Sequence, residues 1–448
     1  MKRISRRNFL QTGVGAAGGI LASRAIPLDA EAVYAIPRDV PASDQLHFGI
    51  IGVGMQGSGL LSSAITLPGA QCVAACDLYD GRHTLAKEIA GPSIATTRRY
   101  QELLDNKTID CLIVAVPDHW HRRIVVDALS AGKDVYCEKP MSHNVGDGAA
   151  MVASAEKSSR IVQVGSQRTS SALFAKAKQL FDQGAIGELF DVELSLGRND
   201  PTGAWEYPPP PDLSTANLDW DTWLGSAPKK AFDPLTFARW RCWKEYGTGV
   251  AGDLMVHLVS GTIFVTGMNQ APSGAYALGG IVRWRDGRNV PDLHTVLFNY
   301  GSVPIYVRLT QGTETSEVTR FMGPKGILEV SEHALHYIPQ SGVDTAPSYY
   351  ASGFPRAMRE AYEKQWYAQH DPVPGKEAMP EVVTYSGPSY DDVKPHLWTF
   401  FEAVRSRKPV VQDAVFGHHA AAACHMANAS YFANSRVTFD PATSAIKT

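Results

Sequence analysis

Asp253 and His257, four residues apart, are the pair in this sequence best suited to proton transfer. An imidazole has an ordinary pKa of ~6.5, so it can take a proton and return it at neutral pH. On a helix, residues at this spacing project from one face, and the carboxylate would then hold the imidazole in one tautomer. Two plainer explanations stay open. Asp253 follows closely spaced glycines and could cap a helix, and His257 lies among apolar residues typical of a core.

Three glycines, Gly52, Gly54 and Gly57, follow an apolar segment at 47–51 and open a stretch with a helical pattern. A strand, a glycine turn and then a helix form the context that a dinucleotide-binding turn requires. Gly52 would allow the tight turn, Gly54 would let the backbone approach a pyrophosphate, and Gly57 would permit close helix–strand packing. The start of the helix would offer its free amides to the phosphate.

An acidic residue stands where the ribose of such a dinucleotide would lie. Asp77 follows the next apolar segment, 71–76, and comes 20 residues after Gly57. Its carboxylate would accept hydrogen bonds from both ribose hydroxyls and would repel a 2′-phosphate, so the sequence predicts NAD. Arg82 could turn toward a 2′-phosphate, which keeps NADP open. The alternative is a structural glycine turn followed by a loop aspartate.

The elements that would position these residues fall into two groups. Between residues 44 and 165, apolar segments alternate with helical segments, which predicts a doubly wound α/β domain with a parallel sheet. From 166 to 441, strands follow one another without helices between them, which predicts an α+β domain with a mostly antiparallel sheet. Its predicted strands are 190–196, 275–284, 293–300, 303–310, 318–322 and 327–330, and its predicted helices are 172–183, 395–406 and 414–433.

An irregular stretch at 199–234 interrupts the second group. It contains four consecutive prolines, Pro208 to Pro211. A stretch of this length inside a compact domain is expected to have a purpose.

The N-terminus has the pattern of an export signal. A basic start with Arg6 and Arg7 precedes a short apolar run and a small-residue site at 30–32. The arginine pair resembles the twin-arginine signal, so residues 1–40 are expected to be a signal peptide and linker. Such a protein would cross the membrane already folded, with the export machinery as a transient partner, and would reside in the periplasm.

Composition excludes several classes of protein. Of 448 residues, 44 % are hydrophobic and 19 % are charged, which is sufficient for sizeable cores and argues against disorder. The net charge of −3 gives no electrostatic footprint for nucleic acid, and no run reaches the ~20 apolar residues of a membrane span. Six cysteines are too few for a disulfide framework, and those at 72, 76, 111 and 137 fall in predicted buried strands.

Glu138, Lys139 and Pro140 end a predicted parallel strand at the edge of the sheet that would face a nicotinamide. Together with segments 117–121, 218–225, 252–257, 323–326 and 417–424, this tripeptide resembles the glucose–fructose oxidoreductase/inositol dehydrogenase (Gfo/Idh/MocA) family. The resemblance implies a Rossmann domain and an α/β domain whose large open sheet supports homo-oligomers. It also implies NAD or NADP as cofactor and sugars, inositols or their derivatives as substrates.

The resemblance also implies roles for individual residues. Lys139 would relay the proton and anchor the substrate oxygen, His257 would be the base, and Asp253 would orient it. Met255 stands where many members have a small residue, so the substrate itself is not carried over. The expected cofactor contacts are Gly52, Gly54, Met55, Gln56, Gly57, Asp77, Arg82, Pro117, His121, Glu138 and Lys139, and the expected substrate contacts are Lys139, Arg168, Trp240, Trp243 and His257.

No metal is expected, because no carboxylate or cysteine joins His119 and His121 at ligand spacing.

Export and the cofactor constrain each other. Since the periplasm keeps no pool of free nicotinamide nucleotide, an exported enzyme would hold its NAD tightly and restore its redox state within each cycle. The leading hypothesis is a sugar or polyol oxidoreductase, as a dimer or tetramer. One alternative is an NAD-dependent glycoside hydrolase or lyase, for which Tyr246 is the nearby tyrosine. A non-catalytic binding protein on a Rossmann scaffold is the other.

Overall fold

The computed structural model describes residues 23–28, 35–340, 348–369, 381–386 and 392–448. The twin-arginine pair and the small-residue site at 30–32 lie outside the described residues. Within them, the chain forms two β-sheets with helices packed on both. The predicted α/β fold class, a parallel N-terminal sheet followed by a larger and mostly antiparallel one, is confirmed.

The first sheet is a six-stranded parallel sheet in the order β4-β3-β2-β5-β6-β7. Its central strands are almost wholly buried, because helices cover both faces. The order reverses between β2 and β5, and such a switch point opens a crevice at the carboxyl ends of the strands. The strands are β2 (Leu46–Ile51), β3 (Ala70–Cys76), β4 (Ala95–Thr97), β5 (Cys111–Val114), β6 (Asp134–Glu138) and β7 (Val162–Gly165).

The crossover helices follow the strands at regular intervals. They are α1 (Met55–Ala64), α2 (Asp80–Ala90), α3 (Tyr100–Asp105), α4 (Asp118–Ser130) and α5 (Val145–Ser158). A short 3₁₀ segment, Gln167–Ser170, then leads into the second domain.

The second sheet has eleven strands in the order β1-β15-β14-β13-β12-β8-β11-β10-β9-β16-β17. Neighbouring strands are antiparallel except for two parallel pairs, β1 with β15 and β8 with β11. The strands are β1 (Ser23–Pro27), β8 (Asp191–Gly197), β9 (Gly274–Gly280), β10 (Leu293–Tyr300), β11 (Val303–Thr310), β12 (Thr315–Gly323), β13 (Gly326–Ser331), β14 (Ala334–Pro339), β15 (Val382–Ser386), β16 (Val437–Asp440) and β17 (Ala445–Lys447).

The helices of the described C-terminal part are α6 (Ala172–Asp182), α7 (Trp220–Leu224), α8 (Pro234–Ala238), α9 (Val256–Thr266), α10 (Ser348–Ala351), α11 (Arg356–Gln369), α12 (Val393–Ser406) and α13 (Ala414–Ala433). Of these, α6, α9 and α13 pack their apolar residues against this sheet. A π-helical turn, Ala251–Met255, directly precedes α9.

Helix α12 belongs to the first domain by its packing. Leu397, Phe400 and Phe401 are fully buried against that domain's core, with the rings of Phe401 and Phe48 5.6 Å apart. The expected division into 44–165 and 166–441 therefore does not follow the cores, because the chain returns to cover the parallel sheet.

Residues 23–27, which the sequence analysis assigned to the leader and linker, form an edge strand. They pair in parallel with β15, from Ser23 opposite Val382 to Pro27 opposite Ser386. In the part of the chain described here, no helix has both the length and the apolar character needed to cross a bilayer. All six cysteines are buried with free thiols.

Candidate functional site

The glycine turn between β2 and α1 has the geometry of a phosphate cradle. Gly52 has a φ of 89°, and a Cβ there would lie 2.3 Å from the Ala115 carbonyl oxygen. A Cβ on Gly57 would lie 2.0 Å from the Gly52 carbonyl oxygen, so this glycine permits helix and strand to pack closely. A Cβ on Gly54 would meet no atom within 4 Å. Because no described side chain caps α1, its first amides are free to bind an anion.

Asp77 lies at the carboxyl end of β3, across this turn. Its carboxylate oxygens accept hydrogen bonds from the Val53 amide at 2.8 Å and the Tyr79 amide at 3.0 Å. Burial raises the pKa of Asp77, although the two amides and the nearby Arg82 oppose that shift. Each carboxylate oxygen retains a lone pair for a ribose hydroxyl. Arg82 donates to the Val53 carbonyl at 3.1 Å, which holds its guanidinium beside the turn.

One continuous cleft of about 740 Å³ joins the glycine turn to the second domain. Its volume lies within the usual ~300–1,000 Å³ of ligand sites. Among the expected site residues, those lining the cleft are Gly52, Gly54, Met55, Gln56, Asp77, Arg82, Pro117, Glu138, Lys139 and Trp240. An open cradle, free helix amides and a buried acid at one end of the cleft together fit a dinucleotide.

Glu138 is the centre of a buried hydrogen-bond network at the floor of the cleft. Its Oε1 accepts from Gln56 and from Gln167, each at 3.0 Å, and its Oε2 accepts from the Lys139 amide at 3.0 Å. These bonds fix the end of β6, and with it the direction in which Lys139 leaves the strand.

Lys139 is held by the π-helical turn of the second domain. Its Nζ donates to Asp253 Oδ1 at 2.9 Å and to the Asp253 carbonyl at 2.7 Å. The two segments approach closely because Gly252 has no side chain, and a Cβ there would lie 3.1 Å from Pro140 Cγ. The domains are thus joined at the lysine.

Asp253 has two further partners. Arg241 Nε donates to its Oδ1 at 3.1 Å, and the indole nitrogen of Trp205 lies 3.2 Å from its Oδ2. Burial alone would raise the pKa of Asp253, but the charges of Lys139 and Arg241 bring it far below its ordinary value. The carboxylate therefore stays ionised and keeps both cations in place.

Among the described residues, Asp253 lies close enough for its charge to act on His257 but does not form the expected hydrogen bond with it. The residues between them adopt a π-helical turn, and its wider spacing removes the alignment that an α-helix would give at four residues. Among the residues that the structure describes, none hydrogen-bonds to the ring nitrogens of His257. Asp253 orients Lys139 instead.

His257 is buried near several positively charged side chains. Burial lowers its pKa well below the ordinary value, and the nearby charges of Lys139, Arg168 and Arg198 lower it further, against the opposing effect of Asp253. The imidazole is consequently neutral at pH 7 and able to accept a proton.

Besides Gly57 and His257, three further expected contacts are not among the residues that line the cleft. His121 is buried behind its wall, with its ring nitrogens 2.8 Å from the Pro140 carbonyl and 2.9 Å from the Val116 carbonyl, so it positions the turn after β6. Arg168 is paired with Glu317 at 2.8 Å and sits near His257 without lining the cleft. Trp243 packs in the core, whereas Trp240 lines the cleft.

The remaining histidines and the alternative tyrosine have structural contacts. The ring nitrogens of His119 lie 3.3 Å from the Tyr246 carbonyl and 3.0 Å from the Trp223 carbonyl. The Tyr246 ring is buried against Trp223, with ring centres 4.9 Å apart, so it does not face the cleft. No cluster of three or more metal-ligating side chains occurs among the described residues.

Sequence reasoning missed the part of the site contributed by the irregular stretch. Tyr207 and Pro208 to Pro211 line the cleft, and Trp205 contacts Asp253. Burial raises the pKa of Tyr207. The nearby charge of Asp253 raises this pKa further, whereas those of Arg241 and Arg198 lower it. The only signal in the sequence was the dense cluster of aromatic residues and prolines at 205–211.

Comparison with known proteins finds similarity mainly in the first domain. Residues 46–166 match the model of the Gfo/Idh/MocA oxidoreductase family, NAD-binding Rossmann fold. An inositol 2-dehydrogenase of Salmonella paratyphi B is 32 % identical over 145 residues, covering 32 % of this chain and 43 % of that enzyme. A glycosyl hydrolase family 109 protein of Shewanella pealeana is 28 % identical over 209 residues, covering 43 % of this chain and 46 % of that protein.

The chain thus matches less than half the length of these two relatives. A structure of levoglucosan dehydrogenase in complex with NADH and levoglucosan aligns with a TM-score of 0.62 at 17 % identity, covering 88 % of this chain and 99 % of that one. This likeness shows that the fold of both domains is shared.

Proposed function

We propose that the protein, whose residues 46–166 match the model of the Gfo/Idh/MocA oxidoreductase family, NAD-binding Rossmann fold, transfers hydride between a tightly held NAD and a sugar, polyol or sugar derivative. The observation that carries the proposal is that Lys139 and Arg241 both donate to Asp253 and both line the same cleft as the glycine turn. A lysine fixed beside a nicotinamide site, with a neutral histidine nearby, is the arrangement that alcohol oxidation needs.

NAD, when bound, supplies the acceptor for the hydride and the means of returning it. The chain supplies the proton chemistry. His257, whose imidazole is kept neutral at pH 7 by burial, takes the hydroxyl proton as the alcohol becomes a carbonyl. Lys139 donates a hydrogen bond to the substrate oxygen, and Asp253 keeps the ammonium group directed there.

NAD rather than NADP is the favoured cofactor. A 2′-phosphate on the ribose would be repelled by the Asp77 carboxylate. The Val53 amide donates to that carboxylate, and Arg82 donates to the Val53 carbonyl. Arg82, which lies beside the turn, is a feature that would favour NADP.

The N-terminal sequence supports export by the twin-arginine route and a periplasmic location. An exported enzyme would then carry its NAD out with the fold and regenerate it within each cycle. Either a second sugar takes back the hydride, or one substrate is oxidised and then reduced again.

The test is to purify the full chain under mild conditions and measure bound nucleotide by native mass spectrometry. The holoenzyme is then screened with sugars and polyols by absorbance at the reduced-cofactor band. NAD in the protein and a substrate-dependent band are expected. A protein that neither contains nor binds NAD would refute the proposal.

His257→Ala then tests the assignment of the base. This variant should retain NAD and lose turnover by about 10²–10⁴-fold. Ordinary turnover in the variant would remove His257 from the mechanism.

A second candidate is redox-neutral elimination at a glycoside. Transient oxidation of a hydroxyl to a ketone acidifies the neighbouring C–H, whose loss expels the glycosidic oxygen; water then adds, and the returned hydride restores the hydroxyl. Tyr207 favours this candidate, because its protonated phenol lines the cleft near Arg241 and could give the leaving oxygen its proton. A released aglycone with no net change in cofactor redox state would distinguish elimination from dehydrogenation.

The large sheet supports a homo-oligomer. Tyr276, Leu297 and Tyr306 are paired across β9, β10 and β11, and all three are exposed on one face. Such an apolar row is expected to be buried by a second copy of the chain. Leu297→Lys should lower the mass measured by light scattering, whereas Val411→Lys, which alters an exposed valine elsewhere, should not.

A further inference from the structure

The irregular stretch crosses the cleft at the end where the adenosine half of a dinucleotide would lie. Its residues 207–219, called here the proline strap, include Pro208 to Pro211 and Asp219, which line the cleft together with Gly54, Asp77 and Arg82. The cradle is therefore closed on one side by the second domain.

The proline strap is fastened to the residues that directly follow Asp77. The Asp80 amide donates to the Asn217 carbonyl at 2.9 Å, and the Asp219 amide donates to the Leu78 carbonyl at 3.1 Å. The Tyr79 hydroxyl donates to the Asp212 carboxylate. Residues 78–80 thus connect Asp77, the residue expected to bind the ribose, to the proline strap.

The Tyr79 side chain is well placed to act as a latch. Its ring is buried and meets Phe237 edge-on, with ring centres 6.1 Å apart. Burial and the Asp212 carboxylate raise the pKa of Tyr79 to about 12, so the phenol remains a donor across the physiological range. The Asn217 side-chain amide donates to the Asp212 backbone carbonyl at 2.8 Å, which helps to hold Asp212 in position.

The prolines make the proline strap stiff. A proline has a fixed φ and no amide hydrogen, and consecutive prolines form an extended and semi-rigid segment. Such a segment presents flat apolar rings to the cleft and has little freedom to fold aside. Access to the adenosine end then requires the fastening to residues 78–80 to open.

We propose that the proline strap locks the adenosine half of the cofactor in place, with Tyr79 and Asp212 as its latch, so that NAD does not exchange during turnover. The proposal rests on the proposed NAD site and adds to it a structural cause of retention. It identifies Tyr79 and Asp212 as positioning residues that act on the rate of cofactor release and take no part in the chemistry.

Tyr79→Phe and Asp212→Ala test the latch, because each removes the hydrogen bond between the phenol and the carboxylate, and Tyr337→Phe is the matched control. Tyr337 also loses a single phenol hydrogen bond, to the Ala185 carbonyl at 3.1 Å, but lies in β14 of the large sheet. Each full-length protein is loaded with NADH, mixed with excess NAD, and followed by the loss of bound-NADH fluorescence. The latch variants should release NADH about ten- to hundredfold faster, as expected for a hydrogen bond to a charged group.

The double variant, Tyr79→Phe with Asp212→Ala, should release NADH no faster than the faster single variant, since both remove the same bond. Thermal unfolding measured in parallel confirms that each variant is folded. Release from Tyr79→Phe at the rate of the wild type and of Tyr337→Phe would overturn the latch. A wild-type protein that binds no NADH at all would instead overturn the proposed function.

A third variant tests the stiffness of the segment. Pro209→Gly combined with Pro210→Gly keeps the latch and loosens the segment. It should also release NADH faster than the wild type, and an unchanged rate would show that the latch alone retains the cofactor and that the prolines do not contribute.

Discussion

The two ends of the cleft are built in different ways. At the cofactor end, one short segment with Gly52, Gly54 and Gly57 forms the cradle, mainly through backbone shape and backbone amides. At the substrate end, Lys139 and Asp253 come from positions 114 residues apart and are held by charge. The first end is therefore sensitive to added volume, and the second is sensitive to lost charge.

The largest effect is expected from removing charge at the substrate end. Lys139→Met should lower kcat by about 10³-fold, because the substrate oxygen loses its donor and Asp253 loses a partner. NADH affinity should change little, since the glycine cradle is untouched. Steady-state kinetics and NADH titration measure the two quantities. Lys178→Met, which breaks an exposed ion pair with Asp182, is the control and should leave both unchanged.

Added volume at the cofactor end should have the next largest effect. Gly54→Val meets no protein atom within 4 Å at its Cβ and has an ordinary φ of −70°, so the fold should be retained. The side chain would fill the space left for a pyrophosphate and should weaken NADH binding by about 100-fold. Gly57→Val is the contrasting variant, because its Cβ would collide with the Gly52 carbonyl and should prevent folding. Equal NADH affinity in Gly54→Val and the wild type would place the dinucleotide elsewhere.

The stability of the whole chain should fall in mild acid. Burial lowers the pKa of His119, His294, His396 and His418 to about 4 and that of His425 to about 3. Since the unfolded chain binds these protons near pH 6.5, the folded state is at full stability above that pH and loses stability as the pH falls toward 4. Within that window, each fully buried imidazole should lower the free energy of unfolding by up to about 1.4 kcal/mol for each pH unit of acidification.

Denaturant titrations at pH 7.5, 6 and 5 would measure this loss. If both domains unfold in one transition, the two ends of the cleft should be lost together. Tryptophan fluorescence and bound-NADH fluorescence should then change at the same denaturant concentration. A free energy of unfolding that stays constant over this range would contradict the buried, neutral state of these histidines.

The smallest effect concerns the charge around His257. Arg198→Met removes one of the cations that lower its pKa, so that pKa should rise. The acid limb of the kcat/KM profile should then move up by a few tenths of a pH unit, on the order expected for one partly screened charge. The exposed Arg285→Met is the control. A limb that moves down would show that a group other than His257 limits the rate in acid.

Local patterns predicted the regular elements well. The strands 293–300 and 303–310 and the helix 414–433 occur with the predicted bounds, because alternation in the strands and apolar character in the helix are local properties. Strands β14 to β17 and helix α11 were missed. β17 is a short edge strand and β16 lies beside it, and strands of four and three residues are too short to show a periodic pattern.

Site residues were predictable where a motif is contiguous. The glycine turn and Asp77 were predicted from the spacing between them, whereas Lys139 was predicted from the family resemblance of the tripeptide at 138–140. Arg241, Tyr207 and the proline strap were found only in the structure, because their roles depend on how the second domain lies against the first.

The amino-acid sequence by itself determined the nucleotide-binding half of this protein, since a backbone turn and the acid that follows it are encoded within about 30 residues. Tertiary structure alone decided which partner each charged group has. Asp253 was expected to serve His257, but the π-helical turn and the missing side chain of Gly252 bring it to Lys139 instead. Charge pairing acts over a few ångströms in space, and residues distant in the chain meet only when two domains pack together.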